Sequence, residues 1–179
     1  MNKRWKLKIC IFSIFIFFFL GFGTLYLYKM NREVCSKNKE VVIRLINEVW
    51  SKGNLQIVDQ LIAPQYTIRH DPGDPWDGKT LDLATFKKRV MLSRYVFPDQ
   101  KFYIEDLVCN SNKVAVSWRF TGTQKGKIPG LPVTNKTVNV SGMTIYYFSN
   151  GKIIGHWQVV DRLGFLQQLG KSINKSKPN

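Results

Sequence analysis

Acidic residues and cysteine are scarce in this chain, and each shortage narrows what it does. Against 27 Lys and Arg there are 12 Asp and Glu, a formal charge of +15. Such a balance favours solubility and attraction to anionic surfaces. A nucleic-acid interface needs a basic stripe interleaved with exposed aromatics. Here the cations are scattered, with many at the two ends, so nucleic acid is not an expected partner. The three cysteines, Cys10, Cys35 and Cys109, stand far apart. No C-x-x-C or other metal spacing occurs, and the odd count argues against a disulfide framework. Cys109 reads as strand-end packing, and Arg32-Glu33-Val34 before Cys35 is not a lipoprotein pattern. Internal repeats and long low-complexity tracts are absent too. What is plentiful is apolar material: 44% hydrophobic and 13% aromatic in 179 residues, enough for one domain core with a small appendage.

The appendage is at the start. Residues 1–8 are basic, with Lys3, Arg4, Lys6 and Lys8 and no acid. Residues 9–28 carry no charge, and a bilayer is crossed by roughly 20 such residues. Trp5 at one end and Tyr26 and Tyr28 at the other are suited to the interfaces. A cleaved signal would have a shorter apolar stretch of about 7–15 residues and a small-x-small site. The expectation is therefore an uncleaved signal-anchor: N-terminus cytoplasmic, single pass, C-terminal domain on the exported side. Residues 29–38 read as a linker, 39–170 as the folded domain and 171–179 as a basic tail.

Within the domain, Val41, Val42, Leu45, Ile46 and Val49 have helical spacing, stopped by Gly53. A second helix is expected over 55–62, ended by Pro64, and a third over 83–95 capped by Asp82. On that third helix Lys87, Lys88, Arg89 and Arg94 read as a solvated basic face. Residues 66–70 read as a short strand. The run Asp71-Pro72-Gly73-Asp74-Pro75-Trp76-Asp77-Gly78 is turn chemistry and places His70 at the mouth of a loop. Long strands follow over 101–108, 113–122, 137–148 and 152–161, with Val114, Val116, Trp118 and Phe120 sharing a face. Asn150-Gly151 is the favoured pair for a tight hairpin turn, and Gly142 suggests a bulge. Residues 163–169 form a brief helix. The plan is α+β, with about three helices packed on one side of a curved antiparallel sheet around a pocket, preceded by one transmembrane helix.

Chemistry concentrates in Gly151–Gly170. Strand alternation from Ile153 puts Gly155, Trp157, Val159 and Asp161 on one face, apolar except for the indole N–H and the carboxylate. A carboxylate there needs partners, a raised pKa or a chemical task. The same alternation puts His156 on the opposite face unless a bulge intervenes.

Several pieces in order carry a family resemblance. They are Phe97-Pro98-Asp99; Lys113-Val114-Ala115-Val116 leading to Gly122-Thr123; Gly126 and Gly130; Gly151-Lys152-Ile153; Trp157; Asp161; and Leu166-Gln167-Gln168-Leu169-Gly170, with Tyr66 to Pro72 upstream. This set resembles the SnoaL-like polyketide cyclases, or ester cyclases, of the nuclear transport factor 2-like superfamily. The resemblance implies a cone whose sheet and helices enclose an apolar pocket. It implies Asp161 as the acid and base of an intramolecular aldol closure, with His70 beside it as a second catalytic candidate. Trp157, His156, Gln124, Tyr147 and Trp118 are the candidate substrate-binding residues. No metal and no organic cofactor is implied. The expected ligand is a small apolar or aromatic carbonyl compound. The expected partners are the membrane, through the N-terminal helix, and optionally a second copy in a homodimer. Three departures from the family pattern stand out: Gln124 where the family has His, Asn135 where it has Gly, and Tyr147 where many relatives have Arg. Two further readings remain open, a non-catalytic small-molecule-binding module and a structural subunit of an envelope assembly.

Overall fold

A computed structural model describes residue 24 and residues 26–171. Among them no helix is long and apolar enough to cross a membrane. The run 9–28 expected to do so lies outside them except for 24 and 26–28.

The first helix, α1, occupies residues 26–44 and continues without a break into a π-helical segment, Leu45–Ser51. Residues 29–38, expected as a linker, are thus helical. Leu45, Ile46 and Val49 are buried by the π-helical segment, which ends at Gly53 with φ +77°. A 3-10 turn, Leu55–Ile57, capped by the Asn54 side chain, leads into α2, Val58–Leu61. Strand β1 is Ile62–His70, longer than expected and including Pro64. Strand β2 is Thr80–Asp82, and α3 is Leu83–Val96, its first turn capped by Asp82 as its sequence predicts, with Thr85 N donating at 2.8 Å. Then come β3 Lys101–Asn110, β4 Lys113–Thr123, β5 Thr137–Ser149, β6 Lys152–Val160 and α4 Arg162–Gln168.

The six strands form one curved sheet in the order β2-β1-β6-β5-β4-β3. All pairs are antiparallel except β1 with β6, which is parallel, so the sheet is mixed rather than antiparallel throughout. The helices cover one face. Val42, Leu45, Val49, Val58, Phe86 and Val90 meet Ile62, Ile68, Val114, Val116, Trp118, Phe120 and Phe148 from the sheet, all 7% exposed or less. Strand β4 alternates as read, with Val114, Val116, Trp118 and Phe120 inward. Asn150 and Gly151 both have positive φ, as a tight hairpin with twisted strands requires. Asn135 also adopts positive φ, +57°.

Two strand irregularities set the phase of the interior. Between β5 and β6, Phe148 pairs with Ile153 and Tyr147 with Gly155, so Ile154 is an extra residue. Between β1 and β6, Ile68 pairs with His156 and His70 with Trp157, so Arg69 is extra. Gly155 has φ +154°, and a Cβ there would overlap the Thr67 carbonyl oxygen. Gly142, by contrast, sits in unbroken register opposite Trp118. It is glycine because a Cβ would run into the Trp118 ring and lie 2.8 Å from Val159 O, not because of a bulge.

The cysteines also differ from expectation. Cys35 and Cys109 form a disulfide that joins α1 to the end of β3 across 74 residues, with Cα atoms 5.6 Å apart. The odd count reflects Cys10, which lies outside the described residues.

Candidate active site

The two irregularities decide which side chains face the interior. In β6 the extra Ile154 shifts the alternation, so Ile153 is followed inward by His156, Gln158 and Val160, and not by Trp157 and Val159. In β1 the extra Arg69 lets Tyr66 and Ile68 point inward while His70 turns out and Asp71 turns in. Of these, Tyr66, Asp71, His156, Gln158 and Val160 line a chamber of about 180 Å³ with Trp118, Tyr146, Arg89, Asp74 and Arg162.

Asp71 is the hub of this chamber, at 1% exposure. Its Oδ2 accepts from Arg89 Nη2 at 3.1 Å and Gln158 Nε2 at 3.0 Å, and its Oδ1 accepts from Arg162 Nη2 at 2.7 Å. Burial pushes the Asp71 carboxyl up, but His156 and the Arg89 and Arg162 guanidiniums outweigh it and hold the group below its ordinary value. Arg89 also donates to Asp74 from Nε at 3.1 Å and Nη2 at 2.7 Å. Burial would lower the Arg89 pKa, yet Asp74, Tyr66 and Asp71 raise it, so it stays charged. The interior charges are therefore matched, two carboxylates against two guanidiniums. Arg89 was expected on a solvated basic face. It is 8% exposed because helical spacing sets it three residues after Phe86, on the inner side of α3. Arg94 likewise turns back, donating to Ser51 O and Pro98 O, and Lys87 is half-buried and pairs with Asp59 at 2.7 Å, so of that face only Lys88 is exposed.

His156 is 2% exposed. Its Nδ1 is 2.7 Å from the Tyr66 hydroxyl, a contact compatible with either tautomer. Its Nε2 has no hydrogen-bond partner among the described residues; the nearest carboxylate oxygen, Asp71 Oδ2, is 3.6 Å away. Burial lowers the His156 pKa more than Asp71 raises it, so the imidazole is neutral at pH 7. Desolvation raises the Tyr66 and Tyr146 phenols well above their ordinary range, and both stay protonated. A relay runs along the chamber wall: Trp118 Nε1 donates to Thr144 Oγ1 at 2.8 Å, and Thr144 donates to Gln158 Oε1 at 2.6 Å. It fixes Gln158 with its amide aimed at Asp71.

Trp50, Asp74, Arg89, Ser93 and Arg162 also line a second, more apolar cavity of about 500 Å³, walled by Trp76, Leu92, Tyr95, Phe97, Ile128 and Pro129. A polar chamber adjoined by an apolar vestibule is a common build for a small-molecule site.

Of the residues singled out from the sequence, His156 and Trp118 line the chamber. The others lie elsewhere. Asp161 follows β6, is exposed, and caps α4, accepting from Gly164 N at 2.8 Å. His70 stacks on Trp157 outside the chamber, centroids 4.9 Å apart and planes 12° apart. Tyr147 lies under the Arg69 guanidinium at 4.1 Å, while its neighbour Tyr146 takes the inward position. Gln124 is fully buried but ties the 124–134 loop. Its Nε2 donates to Pro132 O at 3.0 Å and to Gly126 O at 3.3 Å, and its Oε1 accepts from Thr134 Oγ1 at 2.7 Å. Asp71, Arg89, Tyr66 and Gln158 line the chamber but were not among the candidate site residues read from the sequence. The available signals were a cation at apolar spacing on α3 and a carboxylate directly after a strand. Among the described residues no group of three His, Cys, Asp or Glu could hold a metal.

Comparison with known proteins places this arrangement. Residues 40–169 match the family model described as SnoaL-like polyketide cyclase. A candidate polyketide cyclase from Acidithiobacillus ferrooxidans is 49% identical over 74% of this chain and 94% of its own, with a TM-score of 0.70. A candidate SnoaL-like polyketide cyclase from a Jannaschia species superposes at 0.67 with 21% identity over 78% of this chain and 96% of its own. TsrD from Streptomyces laurentii superposes at 0.65 with 22% identity, over 75% and 96%. These last two speak to the fold alone. No curated protein matches the chain. With a family match across the whole sheet and its helices, and a solved relative at nearly half identity, the chain belongs to the SnoaL-like polyketide cyclase family.

Proposed function

We propose that this protein is an acid/base enzyme that cyclises or isomerises a small carbonyl compound, with His156 as the proton-transferring group. One observation carries the reading: a buried, neutral imidazole presents an unpartnered Nε2 to a polar chamber. With Nδ1–H donated to the Tyr66 oxygen, Nε2 offers a lone pair to an acidic C–H. Asp71 Oδ2, 3.6 Å from Nε2, lies beyond hydrogen-bond distance and leaves that nitrogen open to the substrate. Once Nε2 takes the proton, the ionised Asp71 stabilises the imidazolium. The same proton is then returned to the carbonyl oxygen of the new ring or isomer. Gln158, Arg89 and Arg162 hold Asp71 ionised and in place. The vestibule takes the apolar body of the substrate. Family membership supports this class of chemistry.

The test is α-proton exchange of an aromatic 1,3-diketone, 1-phenylbutane-1,3-dione, in deuterated water, followed by NMR. His156→Gln is expected to lower the catalysed rate by roughly 100-fold or more. The wild-type rate should rise with pH through a value below the ordinary His range and be flat near neutrality, because the active form is the deprotonated imidazole and its pKa is lowered. Exchange by His156→Gln at the wild-type rate refutes the assignment. The second reading, binding without turnover, is favoured by the close matching of charge around Asp71. It predicts saturable binding of the diketone with no exchange.

Localisation is part of the proposal. We read residues 9–28 as a membrane anchor and the domain as exported, on the uncharged run with its basic flank and on the disulfide, a bond that persists in oxidising compartments. Protease shaving of intact cells and membrane fractionation test it. A chain that is soluble and protected from protease overturns it.

A further inference from the structure

The helix that leads into the domain makes little contact with it. Residues 26–34 are exposed, Cys35 is half-buried, and the next buried side chain is Asn38, whose Nδ2 donates to Ser111 O at 3.1 Å. Residues 26–37 extend roughly 18 Å at helical rise. They continue without a break into the turns of α1 that pack on the domain from Asn38 onward. Their side-chain tie to the domain is the Cys35–Cys109 bond, placed beside the Asn38–Ser111 contact at the same end of the sheet.

We propose that Cys35 and Cys109 form an oxidation site completed after export. The bond between them makes residues 26–37 a strut held rigidly against the cavity-bearing domain. The inference rests on the exported, anchored reading above. The co-reactant is an exported thiol–disulfide oxidase. One cysteine thiolate attacks the oxidase disulfide, releasing one oxidase sulfur as a thiolate and leaving a mixed disulfide. The second cysteine thiolate then attacks the sulfur of the first. The Cys35–Cys109 bond closes and the oxidase leaves as a dithiol. The two cysteines lose two protons and two electrons, and the electron pair resides on the reduced oxidase. A cytosolic thiol pair would be kept reduced, so the bond also reports the side of the membrane.

The site is tested on the full chain in its own host, with Cys10→Ser so that the remaining thiols are these two. Cells are acid-quenched, and thiols are counted by the mass shift from a polyethylene-glycol maleimide under denaturing conditions. No adduct before reduction and two after are expected. Two adducts before reduction overturn the proposal. The strut is tested on the purified full chain by limited trypsin digestion at Lys29, Arg32 and Lys37, with and without mild reductant. Reduction is expected to speed cleavage at these sites at least 10-fold while the near-ultraviolet circular dichroism of the domain is unchanged. Equal cleavage rates, or loss of the domain signal together with cleavage, overturn the strut. A chain recovered as soluble with the bond intact sinks the anchor but leaves the oxidation site standing, so the two readings fail separately.

Discussion

Replacing Arg89 by Met tests the interior charge arrangement directly. Arg89 is 8% exposed and donates three hydrogen bonds to two carboxylates, Asp71 and Asp74. Met fills much of the volume but leaves Asp71 with Arg162 and Gln158 alone, and Asp74 without its cation. Removing one partner of a buried pair costs about 3–5 kcal/mol, because the remaining charge is stranded in low dielectric. For a domain of this size that corresponds to a drop in Tm of about 10–15 °C. The effect has a pH signature. In the wild type the Asp71 carboxyl lies below its ordinary value, so its ionised form contributes stability above the unfolded pKa, lost only as pH falls through the lowered folded value. In Arg89→Met that folded value rises and the contribution disappears. The gap between the two proteins is therefore largest near pH 7 and narrows toward pH 4, as the variant's Asp71, its folded value raised, takes up a proton and no longer needs the guanidinium. Thermal unfolding followed by circular dichroism across pH 4–8 measures it. A loss below about 1 kcal/mol, the scale of an exposed pair, with no pH dependence would refute the buried network.

Three further outcomes follow from the same geometry. Asp161→Asn should leave α-proton exchange within a few-fold of wild type, since the carboxylate caps α4 outside the chamber, while stability falls by about 1 kcal/mol or less because Asn also caps; a 100-fold rate loss would restore Asp161 as the acid/base. Gly155→Ala should destabilise by about 2–4 kcal/mol, as its Cβ overlaps the Thr67 carbonyl at a strained φ, and a neutral Tm in chemical denaturation and heating would contradict the bulge. Gln124→Ala should lower stability by about 1–3 kcal/mol through the unpaired Thr134 and Pro132 groups, with the exchange rate of the folded protein unchanged; a selective rate loss would mean that Gln124 reaches the substrate.

Local signals were legible wherever a few neighbouring residues determine the outcome. The β4 alternation, the Asp82 cap on α3 and the Asn150-Gly151 hairpin are all present as read, because propensity, capping and turn sterics act within a handful of residues. The ordered family motifs likewise identified the fold and the family. Which side chains of β1 and β6 face inward was not legible: Asp71 turns in rather than His70, and His156 rather than Trp157, because one extra residue in a strand reverses every later side chain, and nothing in Arg69 or Ile154 themselves marks the slip. Arg69 is extra only in the parallel pairing of β1 with β6, a property of two strands separated by most of the domain, and Ile154 only in the pairing of β6 with β5. For the same reason the pairing of Cys35 with Cys109, and the convergence of Arg89, Gln158 and Arg162 on Asp71, could only emerge once the sheet had closed around its helices. The sequence by itself determined the elements, their order and the family; the tertiary structure decided which of the marked residues and their neighbours face the chamber, because strand phase and long-range pairing are set by contacts between distant segments and not within any one of them.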